Sequence, residues 1–142
     1  MTVQEFAEQQ AARAALRRAA MQSVEATDDG RTTTVTVTLA WNGSRFEGQA
    51  MAPSGDTRLA ALTAHATLEA VEKMTGGRSG FRLIDVGEAT TGDVEVALAV
   101  IADPGVPDHP LVGSAFRNPA DPLAATTAAV LDAVNRRAAL AL

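Results

Sequence analysis

A chain of 142 residues with 46% apolar and 20% charged positions suits one domain that buries roughly 70% of its unfolded surface. The net charge of −5 argues against a polyanionic partner, because nucleic-acid affinity is carried by Lys and Arg clusters that release counterions. There is no cysteine, which excludes disulfides, zinc–thiolate sites and thiol nucleophiles.

Residues 2 to 20 contain no Pro or Gly and are rich in Ala, Gln, Glu and Arg, which predicts a helix. Val3, Phe6, Ala7, Ala14 and Met21 share one side of it, but Gln10 and Arg17 interrupt the stripe. Residues 1–20 therefore read as a helical extension that offers Phe6 to another surface, either its own domain or a second protein. Glu5 and Glu8 and the missing apolar run do not fit a signal peptide. No stretch approaches the ~20 apolar residues of a membrane span, so a cytoplasmic protein without membrane contact is expected.

From residue 21 onward the pattern turns to strands. A short strand, Met21 to Thr27, leads to the turn Asp28-Asp29-Gly30. Val35, Val37, Leu39 and Trp41 then alternate with Thr34, Thr36, Thr38 and Ala40, a period of two rich in β-branched residues. Asn42-Gly43 supplies the hairpin, and a return strand runs from Ser44 to Met51. After Pro53-Ser54-Gly55-Asp56, with Ser54 or Asp56 as N-cap, a helix presents Leu59, Leu62, Ala66, Ala70 and Met74. Gly76-Gly77 ends it.

The same blocks return. Phe46-Glu47-Gly48-Gln49-Ala50-Met51 matches Leu111-Val112-Gly113-Ser114-Ala115-Phe116, and Ala66–Lys73 matches Ala129–Arg136. Upstream, Val35–Ala40 aligns with Val94–Ala99, and Glu25-Ala26-Thr27 with Glu88-Ala89-Thr90. The fold class is α+β: two pseudo-duplicated β-β-β-α units, 21–75 and 81–139, within one domain, 21–142. Helices are expected on one face of a mainly antiparallel sheet. Gly48, Ala50, Gly113 and Ala115 lie under the helices, and a strand glycine in both copies predicts close backbone packing.

Two β-β-β-α units with a glycine strand before each alanine-rich helix, and Asn135-Arg136 near the end, resemble a known module. It looks like the C-terminal regulatory domain of 2-isopropylmalate synthase, the leucine-sensing dimer domain, over about residues 21 to 139. The resemblance implies the fold, a dimer and effector binding. The catalytic barrel of that enzyme is absent, and no residue set carries over as a leucine site.

Chemistry has little to stand on. His65 falls in the polar wedge of its helix with Glu69 four residues on, an ordinary i,i+4 pair. Asp103, Asp108 and His109 share a proline loop, but their spacing matches no metal motif. Gly76-Gly77-Arg78-Ser79-Gly80 follows a helix C-terminus, the wrong end for phosphate binding. Asp28, Asp29 and Asp121 read as turn and cap residues. No catalytic, cofactor-binding or metal residue is assigned, and no cofactor is expected.

The outer sheet face of the second copy, assigned Ala97, Ala99, Ile101, Val112 and Phe116, is apolar where its counterpart is polar. The expectation is a non-catalytic regulatory or interaction module, homodimeric around Val112, Phe116 and Ile101. The alternative is a small-molecule sensor with an amino-acid-like effector between the helices or at the dimer seam.

Overall fold

Strands form where the alternation predicts them, and the helices where alanine dominates. In the computed structural model β1 (Ala20–Asp28), β2 (Thr32–Trp41), β3 (Ser44–Pro53) and α1 (Leu59–Met74) are followed by β4 (Arg82–Thr91), β5 (Val94–Ala102), β6 (Leu111–Phe116) and α2 (Pro122–Leu140). The structure describes residues 2–7, 19–41, 43–55 and 58–140, and for 136–140 the backbone alone. Residues 3–7 are helical. The remainder of the expected extension lies outside the described residues, apart from Thr2 and Ala19, which are not helical, and Ala20, which already belongs to β1. No described helix is long and apolar enough to cross a membrane.

Each unit makes its own antiparallel sheet, in the orders β1-β2-β3 and β4-β5-β6. Each helix touches both: α1 packs on β2 and β3 and reaches β4, while α2 packs on β5 and β6 and reaches β1. The helices also touch each other, so the core is a helix pair held between the inner faces of two sheets. That is why both helices are apolar around so much of their circumference. Leu62, Ala64, Ala66, Leu68, Ala70, Val71 and Met74 are buried on α1, as are Ala125, Ala129, Val130, Leu131, Ala133 and Val134 on α2.

Helix starts differ from expectation at one end. Arg58 precedes α1 without any side-chain cap, and Ser54 does not cap it. The Ser54 hydroxyl instead donates to the Asp28 carboxylate at the β1–β2 hairpin. Asp56 lies outside the described residues. At α2, Asp121 does cap, accepting from Ala124 N–H at 3.3 Å, with Pro122 in the first helical position. Gly76 and Gly77, at φ 68° and 79°, close α1 by donating to the carbonyls of Lys73 and Glu72.

The pairing corrects the alignment of the two copies. Gly48 pairs with Val37 and Gly113 with Ala99, so Val37 corresponds to Ala99, not to Val96. The β2-to-β5 match is shifted by three residues. Ala97, Ala99 and Ile101 consequently point inward and are buried, Ile101 completely, so Ile101 is core and no interface residue. The match of the first strands moves by one, because Ala26 pairs with Val35 as Glu88 pairs with Ala97. Both first strands carry an irregularity at the same place, Gln22 between Met21 and Ser23 and Ile84 between Leu83 and Asp85.

Candidate interaction surface

Two glycines set how closely helix and sheet approach. A Cβ on Gly48 would lie 2.5 Å from the backbone nitrogen of Ala70, and one on Gly113 would lie 2.8 Å from Cα of Ala133. Each would also overlap a helix carbonyl, that of Ala66 or of Ala129. The two units thus repeat one backbone contact in detail. Ala50 and Ala115, two residues on along each strand, are half-buried on the same face and keep the neighbouring space small.

The Thr67 and Thr127 hydroxyls meet 3.1 Å apart in full burial. Thr67 also donates to the carbonyl of Thr63, so Thr127 is the donor between them. This hydroxyl relay gives the helix–helix contact a directional component in an otherwise apolar seam.

The outer faces are a different matter. On the first sheet Thr34, Thr36 and Thr38 stand between Glu25, Ser23 and Thr27 on β1 and Glu47, Gln49 and Met51 on β3. Gln49 donates to Thr36 at 3.2 Å and sits 3.5 Å from Glu47. The equivalent positions of the second sheet are Val96, Leu98 and Val100, between Ala89, Gly87 and Asp85 on β4 and Phe116, Ser114 and Val112 on β6. Val94 and Ile84 extend this apolar field and are exposed, and Phe116 is 80% exposed and Val112 46%. An exposed apolar field with the Arg58–Asp85 pair at its rim differs from scattered surface hydrophobes. Phe6 and Val3 are also exposed, on the N-terminal helical segment.

The strand edges are handled differently from the faces. Lys73 donates to the carbonyl of Glu47 on β3 at 2.7 Å, and Asp132 accepts the N–H of Ser114 on β6 at 2.9 Å. Arg58 donates to the carbonyl of Val86 on β4 at 2.8 Å and lies 3.7 Å from Asp85. Charged side chains on backbone groups of edge strands obstruct edge-to-edge pairing.

Most polar candidates serve the local structure. Asp28 accepts from Ser54, from Gly30 N–H at 2.8 Å and from Thr33 at 3.1 Å, and these bonds hold its carboxyl below the usual value, Ser54 foremost. Thr32 and Arg31 N–H groups lower Asp29 in the same way. His65 is exposed on α1, but Glu69 is engaged by Lys73 at 3.4 Å. His109 closes a turn onto Val106, and buried Asp103 accepts Gly105 N–H. Among the described residues no group of three acidic or histidine side chains is placed to hold a metal. Glu72 accepts from Ser79 and from Gly80 N–H, tying the glycine loop to the end of α1. At the far end, Arg117 bridges Glu88 and Glu95, each at 3.2 Å.

One groove of about 380 Å³ opens between the start of β4 and the proline loop, lined by Arg82, Ile84, Asp103, Pro104, Val106 and Pro107 among others. A second, of about 280 Å³, lies between the β1–β2 hairpin and Leu59.

The chain matches no family model, and no curated protein matches it either.

Proposed function

We propose that the protein is a non-catalytic interaction module of the regulatory kind, working as a homodimer. The observation that carries this reading is the asymmetry of the outer faces, threonine, glutamate and glutamine on one sheet against valine, leucine and phenylalanine on the other. A one-sided antiparallel sheet normally turns a polar face to water. An apolar one gains by being covered, at roughly 25 cal/mol per Å² buried. The resemblance of the repeat order to that of a synthase regulatory domain is in keeping with this reading. Equilibrium sedimentation of the wild type and of Phe116→Glu tests it. The wild type should associate to twice 14.7 kDa at micromolar concentration, and the variant should remain a monomer. A wild type that stays monomeric removes the proposal.

A second reading, a small-molecule sensor, is favoured by the groove beside β4. Its walls are mostly apolar and stiffened by prolines, and Arg82 is its cation. Thermal shifts with a panel of small carboxylates, abolished by Arg82→Gln, would distinguish it from the first.

A further inference from the structure

We infer that the groove beside β4 takes a small organic carboxylate with an apolar body and no amino group. The inference rests on the sensor reading above and adds the class of ligand.

The groove exists because the two units differ at one connection. In the first unit Trp41 pairs with Ser44, and β2 turns directly into β3. In the second unit residues 103–110 separate β5 from β6. This connection carries Pro104, Pro107 and Pro110 and is folded by two turn bonds. Val106 N–H donates to the carbonyl of Asp103 at 3.0 Å, and His109 N–H to that of Val106 at 3.2 Å. The loop is seated on the approach to β4, where a Cβ built on Gly80 would lie 3.2 Å from Cγ of Pro104. Proline rings fix φ, so this wall loses little freedom when a ligand arrives.

The chemistry of the lining is one-sided. Arg82 pairs with Ala102, one residue out of step with the buried Ile101, so both stand on the outer side of the sheet. Ile84, Val106 and the prolines supply apolar wall, and the volume of about 380 Å³ is at the small end of ligand pockets. Proline has no N–H, so the loop offers few backbone donors to an anion. The positive charge of the lining comes from Arg82. Arg58, Lys73 and Arg117 each lie against a carboxylate, whereas among the described residues none is held by Arg82. A guanidinium fork suits a carboxylate, which it grips through two parallel N–H bonds. One such cation on a chain of net charge −5 does not balance a polyanion.

The acidic residue of the lining, Asp103, is buried and accepts Gly105 N–H at 2.9 Å, so it serves the turn. Among the described residues no exposed carboxylate lines the groove to meet an ammonium group. An amino acid would carry its second charge against apolar wall without a partner, which costs affinity. The lining therefore selects the carboxylate with an apolar body over its aminated counterpart.

Amide NMR titrations of the full chain test this with isocaproate and hydrocinnamate, against leucine and phenylalanine. Both acids should shift the amides of Gly80, Arg82, Ile84 and Val106 saturably, at least about tenfold more tightly than the amino acids do. Arg82 is exposed, so Arg82→Gln should melt as wild type does, yet bind the acids at least about tenfold more weakly. Isocaproamide, which lacks the charge, should bind the wild type and Arg82→Gln alike. Amino acids that bind as tightly as the acids overturn the ligand class and leave the sensor reading standing. Shifts outside the groove, or acids that bind Arg82→Gln as well as wild type, mean adventitious binding only and overturn the site. If neither acids nor amino acids shift these amides at about 10 mM, this inference and the sensor reading both fall.

Discussion

The two halves of the molecule share a skeleton and differ in what they show to water. Strand order, the irregularity in the first strand, the glycine under the helix and the Ala66/Ala129 contact recur in both units. The outer faces do not. Thr34, Thr36 and Thr38 correspond to Val96, Leu98 and Val100, and Gln49 and Glu47 to Ser114 and Val112. Inward positions answer to a common packing problem and stay alike. Outward positions are free to diverge, and here one face has become apolar while the other remains wettable. A duplicated fold can thus separate support from contact without changing its backbone.

The largest effect expected is one that treats both halves equally. Gly48→Ala and Gly113→Ala each force a Cβ into helix backbone, which cannot step aside as a flexible side chain can. Each should cost about 3 kcal/mol or more in denaturant unfolding, at or above the upper range for overpacking. A large loss at one site only would break the equivalence of the two contacts.

A smaller effect probes the seam between the halves. Thr67→Val leaves the buried Thr127 hydroxyl without its acceptor and should cost about 1–2 kcal/mol. Adding Thr127→Val should return part of that loss, since both polar partners are then gone. A double-mutant cycle measures the coupling, and simple additivity would contradict the relay.

The smallest effect belongs to one half alone. Asp28 and Asp29 are held below the ordinary 3.8 by Ser54 and by hairpin N–H groups, with no matching pair at Thr91-Gly92-Asp93. A carboxylate with a lowered folded pKa stabilises the fold above its unfolded value. That contribution is lost as pH falls through the depressed one. Wild-type stability should therefore be insensitive to these groups near neutrality and fall below about pH 3.8. Asp28→Asn should show a shallower acid limb in pH-dependent melts.

Much of this architecture is legible in the residues. The alternation at Val35, Val37 and Leu39 has polar partners on the other face, so its phase is plain. The glycine strands and alanine helices are readable for the same reason: each pattern has one physical solution. The phase of β5 is not legible, because Val94 to Ala102 is almost wholly apolar and a strand apolar on both sides carries no marker of its inner face. Only the pairing of Ala99 with Gly113 fixes it. The extra residue at Gln22 and Ile84 shifts the first strands in a way that periodicity cannot reveal. Val112 and Phe116 do lie on the outer face, while Ile101 belongs to the core. The start of α1 escapes the capping rule because Arg58, which precedes it, offers no cap side chain, and Ser54 is drawn to Asp28.

The most direct measurement gives the second sheet the outer face of the first. The triple variant Val96→Thr, Leu98→Thr, Val100→Thr should fold with helix and strand content unchanged by circular dichroism. In sedimentation at micromolar concentration it should remain a monomer of 14.7 kDa, whereas the wild type should dimerise. A folded triple variant that still dimerises as the wild type does would contradict the claim that this face is where the protein makes contact.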